Sequence, residues 1–253
     1  MNTEVKSAAR MLDLLEYLAG CAEPVKLKDI VATLGFPKSS AHALAQTLVS
    51  RGYAIQDTAE RYVLVHASRH RSATRAHEAR LLSAAHPVME GLRDASGETV
   101  VLAVRNTRGE AKRLAKCVSR QAIRFDVDLD GQSDSYCTAT GRLLLAHWDE
   151  GLANAYLARV PLLARTPKTP TDPDLIRALF VRIREEDVSI CDEEHVLGST
   201  GLATPIRARD GSVVAALNLG AVTMRYHQRS DELIAMLKDA GRLISMRLGY
   251  REA

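Results

Sequence analysis

Aromatic side chains are scarce in this chain. One Trp, three Phe and seven Tyr make 4% of 253 residues, so any core must be filled mainly by Leu, Ala and Val. Cysteine is also sparse: Cys21, Cys117, Cys137 and Cys191 lie far apart and never form a C-x-x-C pair. That spacing excludes a zinc knuckle or a disulfide framework and predicts buried, reduced thiols. No metal-ligand or cofactor-binding pattern stands out, and neither group is expected. Long apolar runs are missing too. None approaches the ~18 residues needed to cross a bilayer, and Met1 to Gly20 is amphipathic, unlike a secretory leader. No membrane partner is expected, and the predicted location is cytoplasmic. The formal charge of +3 is too small to demand a polyanionic partner and does not oppose one. There is no internal repeat or low-complexity tract.

The length allows two domains. The most informative segment is the run from Pro37 to Leu48. Ala41, Leu44, Ala45 and Leu48 recur at i, i+3, i+4 and i+7, one apolar helix face, while Ser39, His42, Ala43 and Gln46 fall on the opposite face. Gly35 suits a left-handed turn ending the preceding helix, and Pro37 suits a first helical position. Upstream, Lys28 to Leu34 predicts a helix turning Leu27, Ile30, Val31 and Leu34 inward. Val5 to Ala19 predicts a longer one on Ala8, Met11, Leu12, Leu15 and Leu18. Downstream, Tyr53 to Ile55 and Arg61 to Leu64 read as a hairpin with a polar tip. Helix, helix, turn, helix and hairpin together make a winged helix-turn-helix suited to a DNA groove.

Charge gives that reading little support, because residues 1 to 66 carry seven basic and seven acidic side chains. Placement must serve instead. Lys26, Lys28 and Lys38 lie around two helix starts, where backbone amides also favour phosphate. Ser39, Ser40, His42 and Gln46 are candidates for base edges, and Lys28, Lys38 and Arg61 for the sugar-phosphate backbone or minor groove. Between His66 and Arg80, Arg69, Arg71, Arg75 and Arg80 face only Glu78, with three histidines interleaved. This is a linker helix, solvated or touching phosphate.

From Leu81 the pattern changes. Leu81 to Leu92 predicts a helix ending at Ser96-Gly97. Strands are expected over Thr99 to Val104, Ala111 to Val118, Gly201 to Arg207 and Val213 to Leu219, the last two joined by a two-residue turn at Asp210-Gly211. Helices are expected over Thr138 to Trp148, Gly151 to Arg159, Asp172 to about Glu186 and Leu233 to Leu248. Strands adjacent in sequence predict an α+β domain on a largely antiparallel sheet. The expected divisions are 1–66, 67–80 and 81–253.

Four blocks resemble the IclR family of bacterial transcriptional regulators, across nearly the whole chain. They are Leu34 to His42 (LGFPKSSAH), Tyr136 to Ala146 (YCTATGRLLLA), Asp192 to Gly198 (DEEHVLG) and Gly211 to Leu219 (GSVVAALNL). The resemblance implies a winged helix-turn-helix for operator DNA, a linker helix, a C-terminal GAF-like domain binding a small organic acid, and a homodimer or tetramer on paired half-sites. Carried over by position, it implies an effector pocket of Phe125, Ala139, Thr140, Cys191, Gly201, Asn218 and Gly220. Backbone amides at Ala139, Thr140 and Gly141 would seat a carboxylate. Members that bind small keto acids present an Asp, a Cys and two Ser at positions matching Cys191, Gly201, Asn218 and Gly220. Their loss here disfavours a pyruvate-sized effector. The Leu217-Asn218-Leu219 run and the Tyr136-Cys137-Thr138 opening resemble members controlling aromatic-acid breakdown more closely, which implies an aromatic or dicarboxylic acid and control of a catabolic operon. The family reads Arg where this chain has Ala43, which implies a different operator. Arg124, beside Phe125 on a presumed strand, is expected to face away from the pocket. Two other functions remain open: a sensor acting through protein contacts without DNA, and an enzyme with Cys137 as nucleophile, His195 as base and Asp192 as acid.

Overall fold

A computed structural model describes residues 5–251 except 22, 52, 58, 65, 132 and 133, and no side chain between 65 and 76. The basic side chains of Arg69, Arg71 and Arg75, expected in the linker, lie outside the described residues. The chain divides into two compact units, Met1–Glu78 and Ala79–Ala253.

In the first unit, α1 (Lys6–Gly20), α2 (Leu27–Leu34) and α3 (Lys38–Ser50) pack with a three-stranded antiparallel sheet in the order β1 (Val25–Lys26), β3 (Arg61–Leu64), β2 (Ala54–Gln56). The helices form because each carries an apolar stripe. Leu14, Leu18, Ile30, Ala41, Ala45 and Leu48 meet Tyr62 and Leu64 in one core. Gly35 ends α2 at φ 64°, its N–H bonded to the Val31 carbonyl, a backbone shape that glycine adopts without steric cost. Three expectations need correction. Ala8 and Leu12 are exposed, Leu12 by 59%, and Leu14 takes the inward place on α1. Pro37 caps α3 with an extended backbone, φ −55° and ψ 136°, and the helix proper begins at Lys38.

In the second unit, β4 (Thr99–Arg105), β5 (Ala111–Cys117), β6 (Ser189–Asp192), β7 (Ser199–Arg207) and β8 (Val213–Val222) form an antiparallel sheet in the order β5-β4-β8-β7-β6. Period-two alternation divides its side chains between two cores. Leu102, Leu202, Leu217 and Leu219 face α4 (His66–Ser96) and α8 (Thr223–Arg247). Ala203, Ala216 and Cys191 face α5 (Ala139–Ala146), α6 (Glu150–Arg159) and α7 (Pro173–Glu186). This is the expected α+β domain.

Several boundaries differ from expectation for local reasons. Pro87 lies inside α4, which runs on from the expected linker without a break at Arg80. The β7–β8 turn is centred on Arg209-Asp210, where the Gly211 N–H bonds the Ala208 carbonyl, and not on Asp210-Gly211; Asp210 bonds the Ser212 N–H and hydroxyl. α8 begins ten residues before Leu233 and carries a kink at Arg229, and its polar first turns show no apolar rhythm. The described residues between 118 and 134 contain no strand, so alternation says nothing about which way Arg124 points. Among the described residues no helix is long and apolar enough to cross a membrane.

Candidate functional site

On α3, the inward stripe of Ala41, Ala45 and Leu48 turns Lys38, Ser39, His42 and Ala43 to the exterior. Ser40 is half-buried. Lys28 on α2 is exposed. Gln46 is tied inward: its Nε2 donates to Gln56 Oε1 at 2.9 Å and to the Tyr62 hydroxyl at 3.4 Å, linking α3 to both strands of the hairpin. Arg61 is held at the hairpin by Asp57, whose Oδ2 accepts from Arg61 Nε at 2.8 Å. The other oxygen of Asp57 accepts the Ala59 and Arg61 backbone N–H groups at 2.9 Å. The Arg61 N–H and then its side chain hold the Asp57 carboxyl below its ordinary range. Sequence reading missed Gln56 and Asp57. An Asp at the head of a polar turn is the available signal for such an organiser.

The second unit encloses a cavity of about 480 Å³ on the α5 side of the sheet. Its floor is Val101 and Ala103 of β4, Gly201 of β7, and Asn218 and Ala221 of β8. One wall is Thr138, Ala139 and Thr140 at the start of α5, with Cys191 of β6. The segment from Ile123 to Val127 forms the other wall, and residues 195–199 form the rim. Six of the seven expected pocket residues therefore line one space: Phe125, Ala139, Thr140, Cys191, Gly201 and Asn218. The seventh, Gly220, lies under the Phe125 ring, where a Cβ would come within 2.2 Å of a ring carbon. Arg124 lines the cavity too, contrary to expectation, because its segment is an irregular loop.

The α5 wall is built by hydrogen bonding. The Thr138 side chain caps α5 by accepting the Gly141 N–H at 3.2 Å, which leaves the Thr140 amide at the helix start, while the Ala139 amide is directed at the Cys191 sulfur. Asn218 Nδ2 donates to the Leu202 carbonyl at 2.9 Å, which fixes the amide against the floor. Arg142, 1% exposed, donates to the Tyr136 carbonyl at 2.8 Å and pairs with Glu194. Thr166 and Thr169 donate to the carbonyls of Glu193 and Glu194 at 2.7 and 2.5 Å. The DEEH segment is thus pinned from below.

Electrostatically the cavity favours an anion. Arg113 and Arg124 line it against one carboxylate, Asp126, which is already bonded to Lys116 Nζ at 2.7 Å. Burial pushes the His195 imidazole pKa down and the Cys191 thiol up, so both are neutral near pH 7. Cys137 Sγ lies 3.5 Å from His195 Nδ1, the pairing an enzyme would require. Burial, reinforced by Asp134, raises that thiol to about 11, which opposes a thiolate. A second, more polar cavity of about 610 Å³ adjoins the first, and Ala111, Arg113 and His195 line both. Among the described residues no cluster of His, Cys, Asp and Glu could hold a metal ion.

Residues 7–58 match the IclR helix-turn-helix domain, and residues 73–246 match the C-terminal domain of IclR bacterial transcriptional regulators. The chain belongs to the IclR family. It is 27% identical over 249 residues to the transcriptional repressor IclR of Escherichia coli K12, covering 97% of this chain and 91% of that protein. The Pca regulon regulatory protein of Pseudomonas putida is 26% identical over 213 residues, 84% of this chain and 73% of that one. Among solved structures, an IclR transcriptional regulator from Silicibacter sp. TM1040 superposes with a TM-score of 0.66 at 27% identity, covering 98% of each chain. An IclR homologue from Microbacterium hydrocarbonoxydans, crystallised with 4-hydroxybenzoate, has the same fold, with a TM-score of 0.64 at 23% identity and coverage of 96% and 98%. As an IclR-family member, this protein is a transcriptional regulator with a helix-turn-helix DNA-binding domain and an effector domain, and not an enzyme.

Proposed function

We propose that this IclR-family regulator binds operator DNA through Lys28, Lys38, Ser39, Ser40, His42, Gln46 and Arg61, and that an organic acid in the C-terminal cavity controls that binding. The proposed effector is an aromatic or dicarboxylic acid, and the proposed target an operon for its breakdown. The carrying observation is the cavity's charge: two arginines line it, and its one carboxylate is bound elsewhere. One carboxylate of the effector meets the Thr140 amide, and its body lies over Val101, Ala103 and Phe125. A cavity of about 480 Å³ is within the range for ligands of ring size and above. The 4-hydroxybenzoate in the Microbacterium homologue supports the view that this fold can take such an acid.

The regulator acts as a homodimer or tetramer, the acid favouring one arrangement of its paired recognition helices. Such coupling is worth about 1–3 kcal/mol, so the acid shifts DNA affinity about 5- to 150-fold and DNA shifts acid affinity by the same factor. Fluorescence anisotropy on a duplex from the protein's own upstream region, with and without aromatic and dicarboxylic acids, tests both halves. Sequence-specific binding that no acid alters removes the effector assignment. Acid binding without any DNA shift favours a sensor that works through protein contacts.

A further inference from the structure

We infer that Arg124 reads a second acidic group on the effector, so that the cavity selects a two-ended acid over a one-ended acid of the same size. This rests on the acid-binding cavity proposed above and adds a residue and a selectivity to it.

The two walls of the cavity stand on one face of the sheet, with their backbones anchored over different strands and the Phe125 ring reaching over Gly220 of β8. The α5 start is anchored over β6 and β7: Cys191 Sγ donates to the Cys137 carbonyl at 3.0 Å, and the Ala139 Cβ comes within 3.4 Å of where a Gly201 side chain would begin. The facing segment is anchored over β4 and β5. Thr99 Oγ1 donates to the Phe125 carbonyl at 2.5 Å, and Lys116 Nζ donates to Asp126 Oδ1 and the Val127 carbonyl, both at 2.7 Å. Between them the floor carries Val101 and Ala103 beside one amide, Asn218, whose Nδ2 is committed to the Leu202 carbonyl. A ligand with one carboxylate at α5 therefore crosses a floor without charge and ends at the wall that carries Arg124.

Of the charges there, Arg124 is the one left for a ligand. Arg113 is engaged with the carbonyls of Asp128, at 2.9 Å, and Gly131. Asp126 is held by Lys116. Arg124 donates to the Gln121 carbonyl at 3.2 Å, and after Lys116 it helps to hold the Asp126 carboxyl below its ordinary range without bonding to it. Its guanidinium fork suits a bidentate carboxylate.

Calorimetry on the full chain with terephthalate and 4-methylbenzoate, and with adipate and hexanoate, isolates the second acidic group at nearly constant size. The diacid of at least one pair should bind about tenfold tighter or better. Arg124→Gln should erase that gap by weakening the diacid about tenfold more than the monoacid, and Arg124→Lys should restore part of it. A gap that survives in Arg124→Gln, or no gap in either pair of the unaltered protein, overturns the inference and leaves the acid cavity standing. If none of the four acids binds the unaltered protein up to about 10 mM, the acid reading itself fails and the inference falls with it.

Discussion

Gly220→Ala is a sharp probe of how the cavity is made. Gly220 sits in β8 opposite Gly201 of β7, and the Phe125 ring lies directly over it. The added Cβ would stand 2.2 Å from Phe125 Cδ1 and 2.7 Å from Cε1. Carbon atoms settle near ~3.5–4.0 Å, so the ring must retreat by roughly 1.5 Å or leave. Retreat is restricted, since the Phe125 carbonyl is bonded to Thr99 and the adjoining Asp126 to Lys116. Overpacking of this kind costs about 1–3 kcal/mol. In a Phe125→Ala background the clash is gone, and alanine in place of a strand glycine should gain about 0.5–1 kcal/mol. The two sites should therefore couple by about 1.5–4 kcal/mol in a double-mutant cycle read by urea denaturation. Equal cost of Gly220→Ala in both backgrounds would refute the packing argument, and with it the account of why a glycine stands there.

Four further outcomes follow from other parts of the molecule. Glu98 is 1% exposed and paired with Arg225 through two bonds of 2.5 and 2.8 Å, so Arg225→Ala should cost about 3–5 kcal/mol by leaving a buried carboxylate alone, and Glu98→Leu with Arg225→Met much less; urea midpoints decide. Burial, then Arg207, pushes His147 down to about 4, so the folded state resists protonation that the unfolded chain accepts near pH 6.5. Stability from this group is full above pH 6.5 and should be lost as pH falls towards 4, by up to about 3 kcal/mol; a denaturation series in which His147→Gln shows the same pH slope would contradict this. Cys137 is fully buried with its thiol at about 11, so it should resist alkylation at pH 8 until the protein unfolds, and Cys137→Ser should keep both DNA binding and its response to acid in anisotropy titrations. With Lys28, Lys38 and Arg61 as the cations proposed to meet phosphate, log K for DNA should fall with log salt by about 3 per domain and about 5 for a dimer; a slope near 10 would demand contacts from elsewhere.

The recognition helix was legible because a surface helix writes its environment into a 3.6-residue rhythm: Ala41, Ala45 and Leu48 went inside, and Ser39 and His42 outside. What periodicity could not carry was partner choice. Gln46 and Arg61 read as free polar groups, yet each is held by a residue ten or four positions away, Gln56 and Asp57. β6 was missed because four residues are too few to display alternation, and it pairs only with β7. In the cavity, six of the seven carried-over residues line one space, while Arg124 was misdirected by assuming strand geometry in a segment that has none. Val101 and Ala103 were legible as strand residues. Which face met a cavity depended on the crossing of a loop more than twenty residues downstream.

The contact between Cys137 and His195 shows why proximity alone does not make a nucleophile. A thiolate needs a cation or an acceptor base held in the right state, and the one cation nearby that is fully buried, Arg142, is committed to Glu194 and the Tyr136 carbonyl. Burial favours the neutral form of both partners, raising the thiol and lowering the imidazole. The same groups make a stiff wall instead. Cys191 bonds the Cys137 carbonyl, Arg142 ties α5 to the DEEH segment, and two threonines hold that segment's carbonyls. Val196 and Leu197, 51% and 62% exposed, are left projecting at the rim of a frame that cannot readily yield. A ligand entering here meets fixed dipoles on the α5 side and an exposed arginine on a loop opposite. The site therefore offers a ligand charge and shape to meet, and no thiolate to attack it.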